Sequence, residues 1–136
     1  MNLLQYPLAA LVGVALAVGI CTAAALVGFS RERGFYPLMM IVIASYYVLF
    51  ALLAGAVPAL WREIAATLVF ITLAIAGYKR TDWIVVAALA AHGLFDAVHG
   101  RVIADAGVPP WWPAFCLTFD VAMAAVLAIR LGRAAN

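Results

Sequence analysis

Apolar residues fill this chain in five long blocks, each closed by a short charged, glycine- or proline-marked break. The first block runs from about Leu8 to Phe29 and stops at Ser30-Arg31-Glu32-Arg33-Gly34. The second, about 38–57, follows Pro37, and the third, about 61–78, follows Pro58; proline suits the first turn of a helix, where its missing N–H has no partner to lose. Lys79-Arg80-Thr81-Asp82 breaks the pattern again, with Thr81 or Asp82 placed to cap a fourth block over about 83–100. Residues 101–110 form the longest connection, and Trp111-Trp112-Pro113 leads into the fifth block, about 113–131. Each block has the roughly 20 residues that an α-helix needs to cross a bilayer. The pattern predicts an all-α, polytopic bundle of five transmembrane helices in a single domain.

One block departs from the rest. The fourth carries both histidines of the chain, His92 and His99, with Asp96 between them. At about 100° per residue these three side chains project within roughly 60° of one another, a polar stripe about two turns long on an apolar helix. The fifth block repeats the spacing with Cys116, Asp120 and Met123, again along one face.

Composition agrees with the pattern. The 136 residues are 69% hydrophobic and 10% charged, with a mean hydropathy of +1.15, far from soluble globular usage. A net charge of +2, scattered along the chain, gives no basic patch for nucleic acid. Cys21 and Cys116 lie inside apolar blocks, so no disulfide framework is expected. The first residues lack the basic region of a cleaved signal peptide, and the first block is read as a retained span.

The placement of charge adds an orientation. Arg31, Arg33, Lys79, Arg80, Arg130 and Arg133 fall on one side of a five-span chain, against Arg62 and Arg101 on the other. This bias predicts an outside N-terminus and a cytoplasmic C-terminus in a bacterial cytoplasmic (inner) membrane. In that frame His92 lies about 14 Å along the fourth helix from the interfacial Trp83, and Asp120 about 12 Å along the fifth from Trp112, so Asp96 and Asp120 reach similar depths in the outer half.

An aspartate near a span centre costs about 2.5–3.5 kcal/mol to insert, so these two are expected to find partners. Imidazole and carboxylate together suit a divalent metal, zinc first or iron, while sulfur from Cys116 or Met123 would pull the reading toward copper. His92, Asp96, His99 and Asp120 are the candidate ligands, and Asp96 or Asp120 the candidate general base for a bound water. The competing readings are a metal-free proton or substrate site and a hydrogen-bonded cluster that only packs the two helices. Ser45 and Glu63 are secondary candidates; Ser45 can equally bond back to its own helix, and Glu63 can serve the helix dipole. Thr67 shares the face of Glu63, one turn deeper. Tyr46 and Tyr47 point about 100° apart, so at most one faces the core.

The stripe His92, Asp96, His99 with Asp120 on the next helix resembles that of small multi-span bacterial membrane proteins of unknown function. In residue types it is distantly similar to the superfamily of alkaline ceramidases and progestin/adiponectin receptors, membrane hydrolases that hold zinc through histidines with Ser and Asp nearby. Those proteins have seven spans and three histidine ligands, against five spans and two histidines here. The resemblance implies metal-assisted hydrolysis and carries over no substrate; the first reading of the chain is a metal site opening toward the outer leaflet that acts on a lipid or another small apolar substrate. The rival class is a non-enzymatic proton or metal-ion transporter or sensor, and a third is an accessory membrane subunit. Membrane lipids are the expected surroundings, and because so small a bundle buries more surface by self-association, a homo-oligomer is an open outcome.

Overall fold

The computed structural model describes residues 5–135 and is all-helical. Five helices, α1 (Pro7–Leu26), α2 (Phe35–Leu53), α3 (Val57–Lys79), α4 (Asp82–Val102) and α5 (Trp112–Ala134), are joined by turns, with one 3₁₀ turn at Phe29–Arg31. All five are long and apolar enough to cross a membrane. Their 19 to 23 residues correspond to about 28–35 Å, matching a hydrocarbon core of about 30 Å.

Several helix ends differ from the sequence pattern, among them the starts of α2 at Phe35 and α3 at Val57 and the end of α5 at Ala134, and glycine sets two others. The first block reads as helical to Phe29, but α1 stops at Leu26 because Gly28 takes a left-handed conformation with φ 80°. The second block reads to Val57, but α2 stops at Leu53: Gly55 has φ 64°, its N–H donates to the Leu52 carbonyl, and the Ala56 N–H donates to the Ala51 carbonyl. This pair of bonds closes a Schellman cap and hands Val57 to α3. At the start of α4 the Thr81 hydroxyl accepts the Trp83 N–H at 3.4 Å, the cap expected from the sequence.

The packing order differs from the chain order. Helix α5 lies between α1 and α4, α3 lies between α2 and α4, and α2 also touches α4. Helix α4 therefore has three neighbours, and it is the helix with the polar stripe. The α1–α5 contact is close because Gly13 has no side chain: a Cβ there would collide with the Phe115 carbonyl oxygen and Thr118 Oγ1. Thr118 donates to the Ala10 carbonyl at 2.8 Å across the same seam, a small-residue contact of the kind that packs helices in lipid. Gly107 rests against the Phe50 carbonyl in the same way, so the long connection is folded down over the end of α2.

Alternating helices bring Arg31, Arg33, Lys79, Arg80, Arg130 and Arg133 to one end of the bundle, where Arg130 bonds the Ser30 carbonyl and Arg33 lies 5.9 Å over the Tyr78 ring. Large apolar side chains such as Leu8, Leu11, Leu26, Trp61, Leu68 and Leu94 point outward, while Glu63, Thr67, His92, Asp96, His99 and Asp120 are buried. A protein in water arranges these groups the other way round.

Candidate metal centre

Polar side chains from four helices meet inside the bundle, and α4 supplies three of them, His92, Asp96 and His99. His92 Nδ1 lies 2.5 Å from Asp120 Oδ2 on α5 and 3.5 Å from Asp96 Oδ2 one turn along α4. Cys116, one turn before Asp120, directs its thiol at Asp120 Oδ2 from 3.9 Å. From α2 the Tyr47 hydroxyl donates to Asp96 Oδ1 at 2.6 Å. Donor atoms of His92, Asp96, Cys116 and Asp120 all lie within 4.8 Å of one another, and all four residues are buried.

His99 takes a different partner. Its Nε2 is 2.7 Å from Glu63 Oε1 on α3, and no contact draws it into the four-residue set. The single stripe of the sequence thus divides: its lower part faces α5, its upper part faces α3. Tyr47 spans the division, because its ring stacks on His99 at 4.0 Å between centroids and 17° between planes while its hydroxyl holds Asp96. Phe70 meets His92 edge-on at 4.6 Å and Phe95 meets His99 edge-on at 5.4 Å, so aromatic rings line both parts. Thr67 donates to the Ala44 carbonyl at 3.0 Å, fixing α3 to α2 one turn from Glu63.

The remaining candidates fall outside this cluster. Ser45 donates to its own helix at the Ile41 carbonyl, 2.6 Å away. Met123 Sδ accepts the Cys21 thiol of α1 at 3.2 Å, so its sulfur is engaged on the side of α1. Tyr47 is the residue that sequence reasoning did not single out. Its signal was the 4-3-4 spacing of Met40, Ala44, Tyr47 and Ala51, all buried on one face of α2, but a membrane helix is apolar on every face and the spacing does not stand out.

Were all three of its acids ionised, the charges in this cluster would not balance by themselves. Asp96, Asp120 and Glu63 are three buried acids set against two imidazoles, and no lysine or arginine is buried among the described residues. With both imidazoles protonated, three carboxylates still leave a net negative charge, which is costly away from water. Asp96 Oδ2, Asp120 Oδ1 and Glu63 Oε2 are also buried without a hydrogen-bond partner, whereas buried polar atoms normally have one. A divalent cation held by Asp96, Asp120 and neutral His92 would balance the first part, and an ion pair of His99 with Glu63 would balance the second. The donor set is one that zinc accepts: imidazole nitrogen, carboxylate oxygen and thiol sulfur.

Two routes lead toward the cluster. At the end of the bundle away from the basic cluster, open cavities of about 350 and 460 Å³ share Gly100, Pro110 and Pro113; Asp96 borders the first and His99 the second. On another side an apolar groove between α1, α2 and α5 has Cys116 in its wall. Comparison with models of protein families, with curated proteins and with solved structures finds no match to this chain, so its function has to be read from these side chains.

Proposed function

We propose that this chain is a multi-pass membrane protein with an intramembrane divalent-metal centre, most simply zinc, used to hydrolyse a lipid or another apolar substrate. The observation that carries this reading is the pairing of close donors with missing partners: four donor groups within 4.8 Å, two of whose carboxylates each keep a buried oxygen unpartnered. His92, Asp96 and Asp120 would hold the ion, with Cys116 as a fourth ligand or a neighbouring thiol. A bound divalent ion supplies Lewis acidity and makes water a nucleophile at neutral pH. Around it Tyr47 orients Asp96, His92 is fixed between two carboxylates, and the aromatic rings exclude bulk water. A carboxylate oxygen not bound to metal takes the proton of the attacking water and passes it to the leaving group. The cavity at Asp96 is the path for water, and the groove at Cys116 the path for an apolar molecule.

The same reading places the chain in a cytoplasmic membrane with its basic end inside and its N-terminus outside. Support comes from the six basic residues gathered at one end and from helical spans, since bacterial outer-membrane proteins are built as barrels. The centre then lies nearer the outer face.

Metal analysis of the purified full chain tests this function. Near-stoichiometric metal in the parent, lost in both His92→Ala and Asp120→Asn, is the expected result. A parent that stays metal-free after incubation with zinc, yet folds, overturns it. The second reading, proton or ion movement across the membrane, has one observation in its favour: Tyr47 touches both polar parts, and both border cavities at the same end. Proton or metal flux in liposomes without hydrolysis would favour it.

A further inference from the structure

The groove beside Cys116 is apolar and has a residue of the donor set in its wall. It occupies about 240 Å³, below the roughly 300–1,000 Å³ of pockets that enclose compact small molecules, and its shape is set by three helices. Leu16 and Ile20 of α1, Met39 and Ile43 of α2, and Phe119 and Cys116 of α5 form its walls. Tyr46 and Trp112, 4.9 Å apart, collar one end. From Trp112 to Phe119 the groove extends about 10 Å along α5. Leu16 and Val42 at its rim are 45% and 43% exposed, so it is open sideways.

Sideways, in a chain read as spanning a bilayer, means toward hydrocarbon. Only a slender apolar group can enter from there, and an acyl chain is the group that the bilayer supplies. The inner wall is what separates this groove from an ordinary lipid-facing crease. Cys116 forms part of it, midway between Trp112 and Phe119, while its thiol faces Asp120, so a chain lying in the groove passes beside the donor set. Trp112 opens α5 at the end where interfacial aromatics meet headgroups, and Tyr46 packs against it from the middle of α2.

We infer that the groove between α1, α2 and α5 is the binding site for the single hydrocarbon chain of an amphiphilic substrate, which enters laterally from the membrane and brings its polar linkage to the Cys116–Asp120 edge of the centre. This deepens the hydrolase reading and rests on it for the word substrate; the chain site itself does not need the metal.

The test uses the full chain in lipid nanodiscs and a long-chain fatty acid carrying a diazirine. After photolysis, labelled residues are mapped by mass spectrometry with and without excess unlabelled fatty acid, and metal content is measured on the same samples. Labelling at Leu16, Ile20, Met39 and Ile43 should fall severalfold under competition, while the lipid-facing controls Leu68 and Leu94 should not change. Val42→Trp, a rim substitution that fills the mouth, should lose the competed labelling and keep its metal. Equal response to competition at groove and control residues overturns the inference, as does unaltered competed labelling in Val42→Trp. Competed labelling in a metal-free parent would uphold the chain site and refute the metal centre instead.

Discussion

Tyr47 holds Asp96 by a 2.6 Å hydrogen bond from a different helix, and that bond is the one hydrogen bond that Asp96 Oδ1 receives. Oδ2 lies 3.5 Å from His92 Nδ1 and has no hydrogen bond of its own, so this phenol is the closest contact that orients the carboxylate. Tyr47→Phe removes the donor and preserves the ring on His99. Supporting hydrogen bonds of this kind are worth about 10–100-fold in metal affinity, so zinc affinity should fall by that factor in a chelator competition while the variant remains folded. Unchanged affinity would mean that Asp96 is held by something other than Tyr47.

Asp96 and Asp120 are expected to act as one unit. Both lie beside the same nitrogen of His92, and groups that share a partner show coupling of about 0.5–3 kcal/mol. A double-mutant cycle of Asp96→Asn and Asp120→Asn, read as metal affinity, should be strongly non-additive, since loss of either ligand disables the other. Additive effects would place the two carboxylates in separate sites.

The His99–Glu63 pair should behave differently from the centre. Removing one member of a buried ion pair costs about 3–5 kcal/mol, whereas replacing both with apolar residues is often neutral. His99→Ala and Glu63→Ala should each lower unfolding stability by that order. The joint change His99→Phe with Glu63→Leu should restore most of it and retain the parent's metal content. Loss of metal in the joint variant would bring His99 back among the ligands.

The basic end should face the cytoplasm. Topology reporters fused after Asn136 and inserted within 104–108 should therefore give opposite signals, with the C-terminal one cytoplasmic. The same signal from both positions would remove the five-span topology.

Much of this architecture was legible in the sequence because its signals are local. Apolar length marks each span, Pro58 and Pro113 sit in first turns, Thr81 caps α4, and the stripe of α4 follows from helical period alone. The misplaced ends at Leu26 and Leu53 show the limit of reading by hydropathy: Leu, Val and Ala continue past both points, and only the positive φ of Gly28 and Gly55 stops the helix. The choice of partners was less accessible. His99 faces Glu63 rather than Asp120 because α3 and α5 flank α4 on different sides, and that arrangement is set by how the helices rotate and order around α4. Sequence period fixes which residues share a face, not which neighbour the face meets. Tyr47 was hidden for the same reason.

The seam between α1 and α5 carries a consequence for how the protein is made. Thr118 closes on Ala10 across 108 positions of chain, and Gly13 receives the backbone of Phe115, so α1, synthesised before α5, waits for it to find its main neighbour. Until then His92 and Asp96 are without Asp120, a half-built polar site whose exposure to hydrocarbon would be unfavourable. Insertion of α5 completes both contacts in one event, which makes the fifth helix the keystone of assembly. Chains that stall before it would leave His92 without its closest carboxylate and α1 without its main neighbour.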